Sequence, residues 1–353
     1  VPLTHRAEIE IKWDRFFVFY NLLEDQGEDP EDFQIIKDRY YVFETQTLGT
    51  GSFSTVKLAI DMKSGERMAC KIIDKRRMRI GKPSERPAQL SIDQEISILK
   101  EVVHPNIVGI KDTVQTSKYV CLFLTRVTGG ELFDYILKNS GVQEHESKFI
   151  FYQILRAVKY LHSRNITHRD LKPENLLLES AKPFSRVIVT DFGLAKMLPS
   201  ALERMKTKCG TMSYLAPEVL NAGSATGGYS KCVDCWSLGV LLYVMLAGSL
   251  PFGSDEDAGQ LMRRIGTADF TFGDECGWDG ISWEVKDLIS KLLTVDPQKR
   301  LTIDEAFAHP WIAAQSDLLA KLYAKVGRRV RCSFCSAVSD VRIFKVCRLL
   351  VVG

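Results

Sequence analysis

Short alternating apolar stretches dominate from Tyr41 to Ile73 and strand-like segments return between Ile107 and Val127, whereas from Glu131 onward apolar residues recur at helical spacing. A period of two describes a strand with one buried face, and a period of about 3.6 a helix with one buried stripe. The chain is therefore expected to build a small strand-rich part followed by a larger helical one, an α+β arrangement. Within the first part SIDQEISILKEV, Ser91 to Val102, interrupts the strands and places Ile92, Ile96 and Leu99 on one helical face. In the second part SKFIFYQILRAVKYLHSR, WSLGVLLYVMLAG and WEVKDLISKLL read as helices, and VTGGEL, Val127 to Leu132, carries the glycines of the join. With 353 residues, 45% hydrophobic and 26% charged, the chain is long enough for two substantial cores.

The strand-rich part opens on TLGTGSFSTVKLAI, Thr47 to Ile60. Gly49 and Gly51 carry no Cβ, so their backbone can approach a ligand closely; a plain hairpin uses glycines for the same steric reason. The alternating strand ERMACKII behind this loop ends near Lys71. An ammonium there can neutralise phosphate charge if a carboxylate fixes its flexible stem, and Glu95 on the Ser91 to Val102 helix is the candidate. Taken alone, one lysine and one glutamate at such a separation are ordinary surface charges.

The segment ITHRDLKPENLLL, Ile166 to Leu178, packs His168, Arg169, Asp170, Lys172 and Asn175 into a short loop before an apolar run. Phosphoryl transfer asks few groups of a protein: a carboxylate to orient the attacking hydroxyl, metal ligands, and cations for the phosphate. Asp170 can accept the hydroxyl proton, Lys172 can contact the transferring phosphate, and Asn175 can ligate Mg²⁺. VIVTDFG follows, a buried strand running into Asp191. Magnesium takes few ligands from protein, so Asn175 and Asp191 suffice when ATP phosphates complete the shell.

Bulk properties remove several alternatives. A net charge of +3 gives no nucleic-acid coat and no acidic tail, so no direct nucleic-acid partner is expected. The longest apolar run, Leu238 to Ala247, is short of the roughly 20 residues a bilayer needs, so no membrane partner is expected either. The N-terminus lacks a signal-peptide pattern and does not begin with Met. The nine cysteines read as reduced thiols. Cys232/Cys235 and Cys332/Cys335 have C-x-x-C spacing and could ligate zinc, but the first pair opens an apolar helical run, where cysteine behaves as a small hydrophobe.

The glycine loop, Lys71, Glu95, HRD-x-x-x-x-N and DFG, in this order, resemble a eukaryotic protein kinase over Tyr41 to Ile312. The resemblance implies a bilobal fold, with a small β-rich lobe over 41–127 and a larger helical lobe over 128–312. Ala216-Pro217-Glu218, Asp234 and Arg300 also stand where that family has its motifs, and in the family the Arg pairs with the Glu of Ala-Pro-Glu. Lys172, two residues after the catalytic aspartate, is similar to the serine/threonine class. The resemblance places ATP against Leu48, Gly49, Gly51, Val56, Ala69 and Lys71 of the first lobe. It continues along the hinge Leu124, Thr125 and Val127, with Leu124 as the gate, to Glu131, Glu174, Asn175 and Asp191.

MRIGKPSERPAQLSIDQEISILK, MKTKCGTMSYLAPE and SATGGYSKCVDCWSLGV resemble the DNA-damage checkpoint effector kinases that carry a forkhead-associated domain, the checkpoint kinase 2 family of the calcium/calmodulin-dependent kinase group. EIEIKWDRFFVFYNL alternates like two strands and is similar to the end of that domain, giving truncated strands over 1–22 and an acidic linker over 23–40. Phosphothreonine binding is not expected. The resemblance further implies phosphorylation of Thr207 by an upstream kinase or in trans within a homodimer. Thr211 is a second regulatory candidate, whose plainer role is to brace the catalytic loop. Glu131 and Glu174 would receive an Arg three residues before the target Ser/Thr in protein substrates. A nuclear location, alone or with the cytoplasm, is implied too. Rival readings are a calcium/calmodulin-regulated kinase, since Asp317 to Arg331 is basic and partly amphipathic, though a helix capping the large lobe is the plainer reading of that stretch, and a pseudokinase scaffold.

Three departures carry expectations. Ser54 stands in place of a third glycine, which would cost roughly 1–2 kcal/mol if a left-handed backbone were needed there. Met212 follows Thr211 where proline is common, and is expected to loosen the segment. After about Ala324 no structure is assignable, so 313–353 is left as an extension of uncertain structure.

Overall fold

The computed structural model describes residues 8–11, 15–18, 36, 39–51, 54–75, 100–116, 118–192, 209–221, 231–253, 257–273 and 278–336. Glu95, the insertion ahead of it, Gly193 and Thr207 lie outside them, as does most of the acidic linker.

Two short strands, β1 (Glu8–Ile11) and β2 (Arg15–Val18), pair antiparallel. The small lobe is one five-stranded antiparallel sheet of β3 (Tyr40–Thr50), β4 (Ser54–Asp61), β5 (Arg67–Asp74), β6 (Ile110–Gln115) and β7 (Tyr119–Thr125), in the order β3-β4-β5-β7-β6. Its register sorts the side chains. Val56 stands opposite Lys71 and Ala69 opposite Leu124, so these four share one face. The other face carries Met68, Cys70, Cys121 and Phe123, which with Ala59, Ile36 and Tyr40 form a separate buried cluster. Tyr40 stacks on Phe123 at 3.9 Å between ring centroids. Closing one face with its own core leaves the Lys71 face free to look toward the second lobe.

The large lobe is helical. Helix α1 (Leu132–Asn139) follows the join, and α2 (Glu144–Ser163) runs through the core. The small pair β8 (Leu176–Leu178) and β9 (Val187–Val189) comes next. Then come α3 (Pro217–Asn221), α4 (Cys232–Ala247), α5 (Ala258–Thr267), α6 (Trp283–Leu292), α7 (Ile303–Ala308), α8 (Pro310–Ala313) and α9 (Ser316–Ser336). Helix α4 is buried along nearly its whole length, from Val233 to Leu246. That explains why its sequence shows an unbroken apolar run instead of a stripe. Gly239 makes the close approach possible, since a Cβ there would sit 2.9 Å from Leu293 Cδ2. At the join, Gly129 lies against the backbone of Leu178 and Ser180, where a Cβ would collide with the Leu178 carbonyl.

Three expectations are corrected. Ser54 begins a regular strand and is not among the residues with positive φ; its carbonyl accepts the Gly51 N–H at 2.8 Å, so the missing glycine carries no left-handed penalty here. Met212 does not loosen its segment: it lies in a short helical turn, Cys209–Tyr214, and is buried in the core. The chain does not lose its order at Ala324, because α9 continues to Ser336. Leu319, Leu322, Tyr323 and Val326 of α9 pack on the large-lobe core at helical spacing. Residues 337–353 lie outside the description.

Cys235 is buried in that same core, donates to the Lys231 carbonyl at 3.8 Å, and is pushed up to about 12 chiefly by its burial. That is the chemistry of a small hydrophobe, and among the described residues no group of three or more His, Cys, Asp or Glu could hold a metal ion. Among them, too, no helix is long and apolar enough to cross a membrane.

Candidate active site

The loop between α2 and β8 carries His168 to Asn175. Arg169 sits in the left-handed region at φ 69°, and Asp191, after β9, at φ 61°. Non-glycine residues hold such backbone only when surrounding contacts over-determine it, at a cost of roughly 1–3 kcal/mol each. The contacts are present. Asp234, fully buried at the start of α4, accepts the backbone N–H of His168 at 2.9 Å and of Arg169 at 2.8 Å. It also accepts His162 Nε2–H from the end of α2 at 2.8 Å. Three donors satisfy a carboxylate that would otherwise be very costly to bury. The sequence singled out Asp234 as a motif residue but gave no sign of this bracing.

His168 joins the loop to the strand behind it. Its Nε2–H donates to the Thr190 carbonyl at 2.8 Å, so its Nδ1 is left to accept the Asp170 N–H at 3.3 Å. Thr190 returns the link through its N–H and hydroxyl, both donating to the Asn175 carbonyl at 2.9 and 3.0 Å. Asp170 and Asp191 are thereby held on two segments that share hydrogen bonds.

The Asn175 side chain commits its nitrogen, donating to the Asp170 carbonyl at 2.7 Å and to Asp170 Oδ2 at 2.9 Å. Its amide oxygen is left as an acceptor, the group a hard cation requires. Lys172 Nζ lies 3.3 Å from Asp170 Oδ2. Lys71, only 7% exposed, reaches Asp191 Oδ1 at 2.5 Å, so its charge is paired across the two lobes. Its expected partner Glu95 is outside the described residues. The structure thus brings Lys71, Asp170, Lys172, Asn175 and Asp191 together from β5, the catalytic loop and the end of β9. The donor set fits a Mg²⁺ ion that takes two oxygens from protein and the rest of its shell from phosphate and water. At the β3–β4 hairpin a Cβ on Gly49 would meet nothing within 4 Å, so no contact among the described residues requires a glycine there.

Of the other residues assigned to nucleotide, Leu48 is exposed at the hairpin and Leu124 is buried in the core. Thr125 N–H donates to the Gly109 carbonyl at 2.9 Å, Val127 packs on the core, and Glu131 bridges Leu177 through its backbone. Glu174 Oε2 is buried, with no hydrogen-bond partner among the described residues. The neighbouring Tyr214 hydroxyl is pushed well up by burial and then by the Glu174 charge. Thr211 lies in the Cys209–Tyr214 turn. Arg300 forks onto Glu218 at 2.7 and 2.8 Å, as the family resemblance implied.

Missed by sequence reasoning is a buried amide pair. Asn106 Nδ2 donates to the Val187 carbonyl at 2.8 Å and to Gln153 Oε1 at 3.0 Å, while Gln153 Oε1 also accepts the Val187 N–H at 3.1 Å. The only hint was two polar residues in otherwise apolar surroundings.

Comparison with known proteins agrees with this geometry. The family model described as Protein kinase domain matches residues 42–312. The probable serine/threonine-protein kinase fhkC of Dictyostelium discoideum is 42% identical over 280 residues, covering 79% of this chain and 46% of that protein. The chain therefore spans under half of that relative. Calcium/calmodulin-dependent protein kinase type 1 of Macrobrachium nipponense is 40% identical over 313 residues, covering 88% and 84%. Myosin light chain kinase A of Dictyostelium discoideum is 43% identical over 279 residues, covering 79% and 90%. The crystal structure of Rad53 1-466 in complex with AMP-PNP superposes with a TM-score of 0.65 at 37% identity, covering 78% of this chain and 66% of that one. With the two-lobed fold, the paired Lys71 and Asp191 and the braced catalytic loop all in place, the chain belongs to the protein kinase family and is a protein serine/threonine kinase.

Proposed function

We propose that this chain transfers the terminal phosphate of Mg·ATP to Ser/Thr hydroxyls that lie three residues after an arginine, in DNA-damage checkpoint signalling. The observation that carries the chemistry is the Asn175 side chain, whose nitrogen is tied to Asp170 so that its oxygen is left to join the Asp191 carboxylate, which Lys71 pairs through Oδ1, at a metal. A magnesium ion held there would neutralise phosphate charge. Asp170 orients the substrate hydroxyl and takes its proton as the new O–P bond forms and the bond to ADP breaks. Lys172 and Lys71 supply positive charge to the phosphates. With all of these residues placed together, the pseudokinase reading loses its basis.

The substrate preference is supported by Glu174. A carboxylate oxygen that is buried without a protein donor among the described residues suits a guanidinium brought by the substrate. Glu174→Gln should lower kcat/KM for an Arg-Xaa-Xaa-Ser peptide about 10- to 100-fold, the worth of a hydrogen bond to a charged group. Activity on the same peptide with Ala for Arg should hardly change. An equal loss on both peptides would remove Glu174 from substrate recognition. Charge reversal at Glu131 tests the second carboxylate in the same way.

Phosphorylation of Thr207, by an upstream kinase or in trans within a homodimer, is proposed to order the activation segment. The family resemblance implies that such a phosphate, with a charge of about −1.5 to −2, would face Arg169, beside Asp170. Thr207→Ala should lower kcat while leaving the KM for ATP as it was; turnover equal to the parent's would refute the assignment.

The checkpoint role and nuclear location rest on the motif resemblance and on the β1–β2 pair, proposed to be the last strands of a forkhead-associated domain. The relatives also include a calcium/calmodulin-dependent kinase, and α9 occupies the basic stretch that suggested calmodulin. Full activity in the presence of a calcium chelator favours the checkpoint reading, and activity that appears only with calcium and calmodulin favours the other.

A further inference from the structure

Helix α9 lies beyond residue 312, where the family match ends, yet one of its side chains reaches Asn106, which is hydrogen-bonded to the strand that presents Asp191. Tyr323 donates its hydroxyl to Asn106 Oδ1 at 2.7 Å. The Tyr323 ring is held under the Arg156 guanidinium, 4.3 Å from its centroid, and edge-on to Tyr152. Asn106 is fully buried; its backbone N–H donates to His104 Nδ1 at 3.1 Å, and its remaining groups end on β9 or on Gln153. Its side-chain nitrogen donates to the Val187 carbonyl and to Gln153, and its carbonyl accepts the Val189 N–H at 2.8 Å. Gln153 takes the Val187 N–H. Both ends of this three-residue strand are therefore tied to one buried amide pair, whose remaining acceptor is satisfied from α9. Asp191, in its left-handed backbone, is two residues past the strand's end.

The geometry points to Tyr323 as a positioning residue for the Asp191 carboxylate, so that the hydroxyl it brings from α9 sets how well the site holds its metal. The inference rests on the reading of Asp191 as a magnesium ligand. Without the Tyr323 hydroxyl, Asn106 Oδ1 is buried with its donor gone, and the carboxamide is free to rotate away from Val187. A two-segment relay of this kind acts on the metal as outer-shell hydrogen bonds do, by orienting a ligand instead of supplying one.

The test is Tyr323→Phe in the full chain, with Leu322→Ala as a variant that weakens α9 packing and leaves the hydroxyl in place. Amide hydrogen exchange, measured without nucleotide, should quicken roughly 5-fold or more at Val187 and Val189 in Tyr323→Phe, with α4 amides as in the parent. The Mg²⁺ concentration for half-maximal activity should rise about 3- to 10-fold, less than for loss of a direct outer-shell partner, with the peptide KM unchanged. Leu322→Ala should lower the melting temperature without moving either quantity. Exchange at β9 equal to the parent's would overturn the inference, as would faster exchange with an unaltered Mg²⁺ dependence. Should the parent show no Mg²⁺-dependent transfer, the functional reading fails, while the exchange measurement still decides whether Tyr323 holds β9.

Discussion

Replacing Asp170 by alanine is expected to lower kcat for peptide phosphorylation roughly 10²- to 10⁴-fold, the usual worth of a general base. Asp170 Oδ2 is the point where the Asn175 amide and the Lys172 ammonium converge, at 2.9 and 3.3 Å. Truncation therefore removes the proton acceptor and also unpins the Asn175 side chain. Asp170→Asn separates the two effects: it keeps an acceptor for Asn175 but cannot take a proton at neutral pH. Asp170→Asn should bind ATP as the parent does, because Lys71, Asn175, Asp191 and the hairpin are untouched, and calorimetric titration with nucleotide checks this. If Asp170→Asn turned over at the parent's rate, Asp170 would be an orienting group only. The proton would then have to leave by another route.

Loss of the Arg300 side chain is expected to be the largest single blow to stability. Its guanidinium is fully buried and spends every N–H: two on Glu218, and one each on the carbonyls of Thr294, Cys232 and Val295. It also lies over the Trp236 ring at 5.1 Å. Removing one partner of a buried ion pair costs about 3–5 kcal/mol, because the other partner is left charged and unmatched. For a domain of this size, with about 2–4 °C per kcal/mol, Arg300→Leu should melt about 6 to 20 °C lower. Arg300→Lys should recover little, since an ammonium cannot reproduce the fork. The double variant Arg300→Leu/Glu218→Leu should melt above the single Arg300→Leu, as both charges are then gone. A double variant less stable than either single one would mean that the pair contributes through packing and not through charge. Glu218 opens α3 at the end of the activation segment, so the single variant should also lower kcat.

The chemistry of this chain was legible because phosphoryl transfer compresses its polar groups into contiguous loops. His168 to Asn175 and Asp191 each sit beside an apolar strand, and reading them needs only their order. The two lobes were legible for a similar reason: the change from a period of two to helical spacing is local. The β5 register followed from alternation, which puts Lys71 and Ala69 on one face whatever the tertiary fold. Helix α9 past Ala324 was not legible, because its apolar positions are few and its cysteines and arginines blur the period. Only the surface of α2 beneath it, with Tyr152 and Arg156, makes that stripe a packing face.

The order and spacing of residues by themselves determined the family, the two-lobed architecture and the identities of Lys71, Asp170, Asn175 and Asp191, because each is set by neighbours close in the chain. Tertiary structure alone decided how those groups are held. Asp234 braces a loop far upstream of it, Asn106 and Gln153 hold β9, and Tyr323 reaches Asn106 from the far end of the domain. A buried polar group must find a partner wherever the fold brings one. That partner carries no periodicity and no fixed separation, so it becomes visible only when the chain has folded.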